Sequence, residues 1–227
     1  MNVPFKTRVK NTAIEYAKTY NSFFVNKSYL IISEAFSNQP YYIIEAEASN
    51  FLHLLGVNTK LSAKPFFQKC LDGSLQENDF EILYSNRPEK DSKGTIRRKI
   101  TALTGLSNVI SSSSTVEEDF SKNRIVCSFA AANKTCTMGF TTNTPVKPKT
   151  LLNGNLLSSG KSKPILIALS KLRTDEKYNK VMIGSIELLA SYSDCVKELL
   201  SQELIDEIEK KNADCTKENR DPTDTLL

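Results

Sequence analysis

A chain of 227 residues and 25.4 kDa, with 40% hydrophobic and 25% charged residues, can bury one full core as a single domain or a domain with a small addition. Only 8 Gly and 8 Pro and no Trp argue against low complexity, and no apolar stretch approaches the roughly 18 to 20 residues of a membrane helix. A net charge of +4 does not by itself announce a nucleic-acid binder.

In chain order, Val9, Ala13, Ala17, Tyr20 and Phe24 recur at helical spacing between Thr7 and Phe24, with Ile14 and Phe23 widening the stripe. Two β-branched and aromatic runs follow, Ser28 to Ala35 and Pro40 to Ala48, parted by turn residues, and predict a hairpin. The only histidine, His53, comes next and is expected near the mouth of that hairpin and not deep inside a long helix; in a strand, alternation would set it opposite Leu52 and Leu54. Ser62 is a candidate cap for a helix that tolerates Pro65 in its first turn, buries Phe66, Phe67, Cys70 and Leu71, and stops at Gly73. Asn86 to Gly94 reads as a polar loop. Ile96, Ile100, Leu103, Leu106 and Ile110 then trace a helix with Arg97, Arg98 and Lys99 turned mostly away. Ser111 to Ser114 and the acidic Glu117, Glu118 and Asp119 read as a loop.

The second half changes to strands: Arg124 to Ala131, Lys134 to Thr141, Val146 to Leu152, Pro164 to Leu172 and Tyr178 to Leu188, most economically a meander. A final amphipathic helix opens at Ser193 with Val196, Leu199, Leu200, Leu204, Ile205 and Ile208. Helices before an antiparallel sheet, with no strand–helix alternation, give an α+β class: N-terminal helices and a hairpin, a small antiparallel sheet and a C-terminal amphipathic helix. The organisation expected is one domain over 1–192, a helix over 193–211 and a polar tail over 212–227.

Five cysteines, Cys70, Cys127, Cys136, Cys195 and Cys215, are odd in number and lack short paired spacing, which disfavours a disulfide framework and a zinc site. They read as free thiols, with Cys127 and Cys136 on adjacent strands that could face one another. Lys6, Arg8 and Lys10 precede an amphipathic segment and not an apolar h-region, so no secretory signal is read and a cytoplasmic location is expected. Walker, dinucleotide, His-Glu-x-x-His and Gly-x-Ser-x-Gly patterns are all missing, and neither metal nor cofactor is expected.

Phosphodiester cleavage without a cofactor stays open, because it needs only a base, an acid and cations. Near neutral pH an imidazole in that role must be His53; the alternative is a hydrogen-bonded core histidine. Lys64, at a helix start, could meet a phosphate or be a solvated first-turn lysine. Lys149 and Thr150, stiffened by Pro145 and Pro148, could present a cation and a hydroxyl, or Lys149 could guard a sheet edge. Lys147, Lys149, Lys161, Lys163, Lys171, Arg173, Lys177 and Lys180 form a basic region opposed by Asp175 and Glu176, while the stretch from Glu203 to Asp224 is acidic. That region is either a solvated surface or a phosphate-contacting face. Arg97 and Arg98 read as a solvated helix face. Tyr41 and Tyr42 could stack bases, but adjacent strand residues point oppositely and neither is assigned a role.

The block Phe51-Leu52-His53-Leu54-Leu55-Gly56-Val57, the helix Ala63-x-x-Phe66-Phe67-x-x-Cys70-x-x-Gly73-x-Leu75, and the later Pro148-Lys149-Thr150-Leu151-Leu152 and Lys163-Pro164-Ile165 strands resemble the phage-type Barnase/EndoU/colicin/RelE-like nucleases, fourth phage subgroup. The resemblance spans residues 25 to 190. It implies a compact RNase-like fold, RNA as substrate, and a role as a toxin or effector of phages and mobile elements, with an inhibitor or host protein as a further partner and no membrane. On this reading His53, Lys64, Lys149 and Thr150 carry metal-independent RNA cleavage. The alternatives are a non-catalytic RNA- or protein-binding module on the same scaffold, and an interaction protein that docks a partner through its C-terminal helix.

Overall fold

The computed structural model describes residues 3–82, 88–122 and 124–218. Helix α1 (Phe5–Tyr20) turns Val9, Ala13, Ala17 and Tyr20 inward, and one wide turn over Asn21–Val25 carries the same stripe to Phe24. The expected hairpin is β1 (Lys27–Ile32) against β2 (Tyr42–Glu45), antiparallel from Ser28 opposite Glu45 to Ile31 opposite Tyr42. Helix α2 (Asn50–Leu55) follows, then the short ladder of β3 (Asn58–Thr59) with β4 (Phe80–Glu81) around helix α3 (Ala63–Leu71). Pro65 falls in the first turn of α3 and Gly73 follows it at φ 80°, as expected, although the Ser62 side chain makes no capping bond.

Helix α4 (Glu89–Ala102) begins earlier than the polar loop expected through Gly94 allows; residues 86 and 87 of that stretch lie outside the described residues. Glu89 and Asp91 in its first turn suit a helix N-terminus. The acidic stretch read as a loop is strand β5 (Thr115–Glu118), followed by a two-residue ladder of β6 (Ser121–Lys122) and β7 (Ile125–Val126). Strands β8 (Phe129–Ala132), β9 (Cys136–Phe140) and β10 (Pro148–Asn153) form the consecutive antiparallel part of the meander.

The meander does not continue. After β11 (Lys163–Pro164), strand β12 (Ile167–Leu172) pairs with β1, and β13 (Lys180–Ile183) pairs with β12. The sheets are therefore ordered β13-β12-β1-β2 and β10-β9-β8-β5-β11. Strand β1 is buried along almost its whole length, and a strand buried on both faces is satisfied by ladder partners on both edges. Two corners stitch the sheets. Leu166 N–H donates to Ile32 O at 3.0 Å just past β11, and Val146 N–H donates to Ile43 O at 2.8 Å just before β10.

The last predicted strand ends at Ile183 because Gly184 (φ 92°) turns the chain and the Ser185 hydroxyl, accepting from Leu188 N at 3.2 Å, caps α5 (Ile186–Ala190). A Cβ at Gly184 would also lie 2.8 Å from Leu166 O. The single helix expected over 193–211 is instead α6 (Ser193–Val196), a tight turn, an extended Leu200, and α7 (Gln202–Glu218); the rest of the polar tail lies outside the described residues.

One core lies between the four N-terminal helices and the inner sheet faces, with Tyr29, Ile31, Ile44, Phe129, Met138 and Leu151 among its members. A second joins Leu30, Ile32, Ile167 and Leu169 on the other face of the first sheet to Leu189, Val196, Leu204 and Ile208 of α5 to α7. A third, small cluster holds Phe120, Cys127 and Ala130. Cys136 lies in the first cluster and Cys127 in the third, so the two thiols do not face one another; Cys70, Cys127, Cys136 and Cys195 are free. Among the described residues no helix is long and apolar enough to cross a membrane.

Candidate active site

His53 is on a helix, not a strand. Phe51, Leu54 and Leu55 are buried at i, i+3 and i+4 spacing, Gly56 closes the helix at φ 69°, and this phase turns the His53 side chain to solvent. The core-histidine alternative is thereby removed. Among the described residues no hydrogen bond or ion pair holds the ring, and its neighbours are set by the helix that carries it.

Beneath α2 lies Lys99. Its ammonium donates to the His53 carbonyl oxygen at 2.8 Å, which satisfies one of the last-turn carbonyls that a helix leaves unpaired. The side chain is half-buried, and burial pushes the ammonium down to about 8. Sequence reading turned Lys99 outward with Arg97 and Arg98. The available signal was its place three residues after Ile96 and four before Leu103, on the border of the apolar stripe.

The entrance to α2 adds a carboxylate and two cations. Lys147 pairs with Glu47, the Ser49 hydroxyl donates to Glu47 Oε2 at 3.2 Å, and the Asn50 side-chain oxygen accepts from Glu47 N at 2.8 Å. The Tyr20 hydroxyl, donating to Glu47 O at 3.1 Å, fixes the backbone from inside. The bond from Lys147 does most to hold the Glu47 carboxyl below its ordinary value; burial opposes it, and the charge of Lys64 assists. Lys64 thus stands, exposed, in the first turn of α3 within electrostatic reach of Glu47. Ser49 and Asn50 precede His53 by four and three residues, the spacing of neighbours on one helix face, with Cβ atoms about 5–6 Å apart. Glu47, Lys147 and Lys64 therefore gather at the entrance to α2, while Lys99 reaches the last turn, where His53 sits.

Lys149 and Thr150 are not brought to this surface. The register of β10 against β9 slips between Pro148 and Thr150, a bulge at Lys149, and a bulge breaks the alternation that sequence reading assumes. The Lys149 ammonium donates to Val126 O at 2.8 Å and lies close enough to act on the Cys127 thiol. Thr150 is 5% exposed, with Cγ2 against Gly139 on the Cys127 side. Leu151 points the other way, into the core that receives Phe51, Leu54 and Leu55. The strand separates these two residues from the His53 surface.

The expected basic region is largely spent on the protein itself. Arg173 donates to Ala46 O at 3.1 Å and pairs with Glu45, Lys171 donates to Glu176 O at 2.8 Å, and Lys177 donates to Glu198 O. Tyr42 is buried and bonded to Glu118 while Tyr41 is half-buried, the alternation expected of a strand.

An α+β scaffold that exposes an imidazole in the last turn of α2, where the Lys99 amine also reaches, carries groups suited to proton transfer beside an anionic substrate. The family model described as phage-Barnase-EndoU-ColicinE5/D-RelE like nuclease4 matches residues 14–219. The chain belongs to that family, and membership supports nuclease activity and carries the phage association. No curated protein and no solved structure matches the chain.

Proposed function

We propose that the protein is a metal-independent endoribonuclease that acts in the cytoplasm as a toxin or effector of phage or mobile-element conflict. The ribose 2′-oxygen attacks the adjacent phosphorus and the bond from phosphorus to the 5′-oxygen breaks, leaving a cyclic phosphate and a free 5′-hydroxyl. His53 takes the 2′-hydroxyl proton or supplies the proton to the 5′-oxygen. Lys64 faces the phosphate from the start of α3. Lys99 acts as a positioning residue: it fixes the α2 carbonyl under the ring and brings a positive charge to the same end of the helix.

The observation that supports this reading most directly is the exposed His53 ring, on a chain whose family is nuclease-like, at a helix end shared with Lys99. The test is RNA cleavage in excess chelator by wild-type protein and His53→Ala. Loss of about 10²- to 10⁴-fold is expected for removal of a positioned acid–base group. Equal cleavage by both proteins overturns the mechanism, and RNA binding with no cleavage by either identifies a non-catalytic module.

A further inference from the structure

Exposed cations without a carboxylate partner among the described residues also lie outside the region expected. On α4, Lys90, Arg97 and Arg98 are exposed, and none pairs with a carboxylate among the described residues, in contrast to Lys93, which pairs with Glu89. Lys90, Gly94, Arg97 and Arg98 fall at i, i+4, i+7 and i+8, one stripe of a helix. They line an open depression of about 570 Å³ together with Thr95 and one carboxylate, Asp91. A Cβ at Gly94 would meet nothing within 4 Å, so the floor of the depression is bare backbone that a bulky anion can approach.

Two guanidiniums beside this stripe are pre-positioned. Arg97 of α4 and Arg8 of α1 lie over the same Phe5 ring, at 5.6 and 5.4 Å from its centre. A guanidinium held over an aromatic face is oriented before it meets a ligand and keeps its donors for a phosphate. Arg98 precedes Lys99, whose ammonium reaches the His53 carbonyl, so the stripe runs along the helix that supports the candidate active site.

We infer that Arg8, Lys90, Arg97 and Arg98 form a track for the phosphate backbone of single-stranded RNA, leading along α4 toward His53. Its direction toward a cleavage site rests on the nuclease reading above; its binding role does not. Contacts of this kind read charge and not base sequence, so they set affinity and register.

The test uses full-length protein carrying His53→Ala, so that RNA stays intact, and a fluorescein-labelled single strand of about 20 nucleotides, titrated over a range of salt. Arg97→Ala with Arg98→Ala should weaken binding about ten-fold at low salt and make the slope of log affinity against log salt shallower by about 1.4, the share of two phosphates on a single strand. Arg97→Lys with Arg98→Lys should keep the slope, and Lys171→Ala with Lys177→Ala, whose cations are spent on backbone oxygens, should change neither quantity. Unchanged affinity in the double-alanine protein, or an equal loss in the Lys171 and Lys177 control, overturns the track. With His53 restored, the track variants should raise KM and leave kcat. Failure of the His53→Ala comparison in chelator would sink the cleavage mechanism while leaving the binding result standing.

Discussion

Lys99 couples the candidate site to pH through a single side chain. If its positive charge supports the developing charge on the phosphate, cleavage should decline as pH rises through about 8, where burial places the ammonium. Lys99→Arg keeps a charge at every working pH and should flatten that alkaline decline, whereas Lys99→Met should lower kcat across the profile; an unchanged profile in both would remove Lys99 from the mechanism. The same shift has a stability consequence of known sign. The folded value of about 8 lies below the ordinary 10.5, so between these pH values the unfolded chain binds more protons and this residue makes stability rise with pH. Denaturant midpoints compared across that window should show the rise in wild type and lose it in Lys99→Met. At this scale the sequence made His53 visible because it is unique, and Lys64 because it opens a helix. Lys99 was hidden on the border of an apolar stripe, and the side of the sheet taken by Lys149 and Thr150 depended on a bulge that no periodicity announces.

Among the elements, β5 shows how charged residues come to occupy a buried strand. Successive strand residues point to opposite faces, and here two adjacent glutamates each receive a loop. Glu117 accepts from Ser158 N at 2.6 Å and from the Ser158 hydroxyl at 3.1 Å. Glu118 accepts from Ser37 N at 2.7 Å, the Ser37 hydroxyl at 2.8 Å, Asn38 N at 3.1 Å and the Tyr42 hydroxyl at 2.8 Å. Burial works against the Glu118 charge, but these donors outweigh it and hold the carboxyl below its ordinary 4.5. Their stabilisation is therefore present above that value and is lost as pH falls through the lower folded value. Glu118→Ala removes the shared acceptor of one loop and leaves its donors unpaired, a change expected to cost about 1.5–3 kcal/mol. Urea unfolding at neutral pH and at about pH 3 should show the mutant destabilised at the first and the difference shrinking at the second; a constant difference would mean that packing, not charge, is responsible. An acidic run beside four serines reads as a loop from sequence because charged residues are depleted in strands. The donors that reverse this preference come from residues 37–42 and 158, remote in the chain.

For the whole molecule, the decisive fact is that the N-terminal hairpin and the C-terminal strands complete one sheet. Ser28 and Tyr178 share a hydrogen bond at 2.8 Å across 150 residues of sequence, a proximity that local patterning cannot express. The hairpin, α1, α3 and the α+β class were legible from period and turn chemistry, while α2 and α5 were not; nor was the division into two sheets, because it depends on β12 pairing with β1. The same pairing decides what the acidic C-terminal helix does. Helix α7 lays Leu204 and Ile208, each 5% exposed, onto the cluster containing Leu30, Ile32, Ile167 and Leu169, so its apolar face covers this protein's own sheet. A helix held out for a partner would keep that face free. Large-to-small changes at such positions cost about 2–5 kcal/mol each, against a total margin of about 5–15 kcal/mol for a domain. Leu204→Ala with Ile208→Ala should therefore lower Tm sharply and expose apolar surface to a hydrophobic dye, and so should removal of the chain from Gln202 onward. If the shortened protein instead kept the Tm of the full chain and bound no dye, α7 would be a detachable arm, and its apolar residues would have to be explained by a partner.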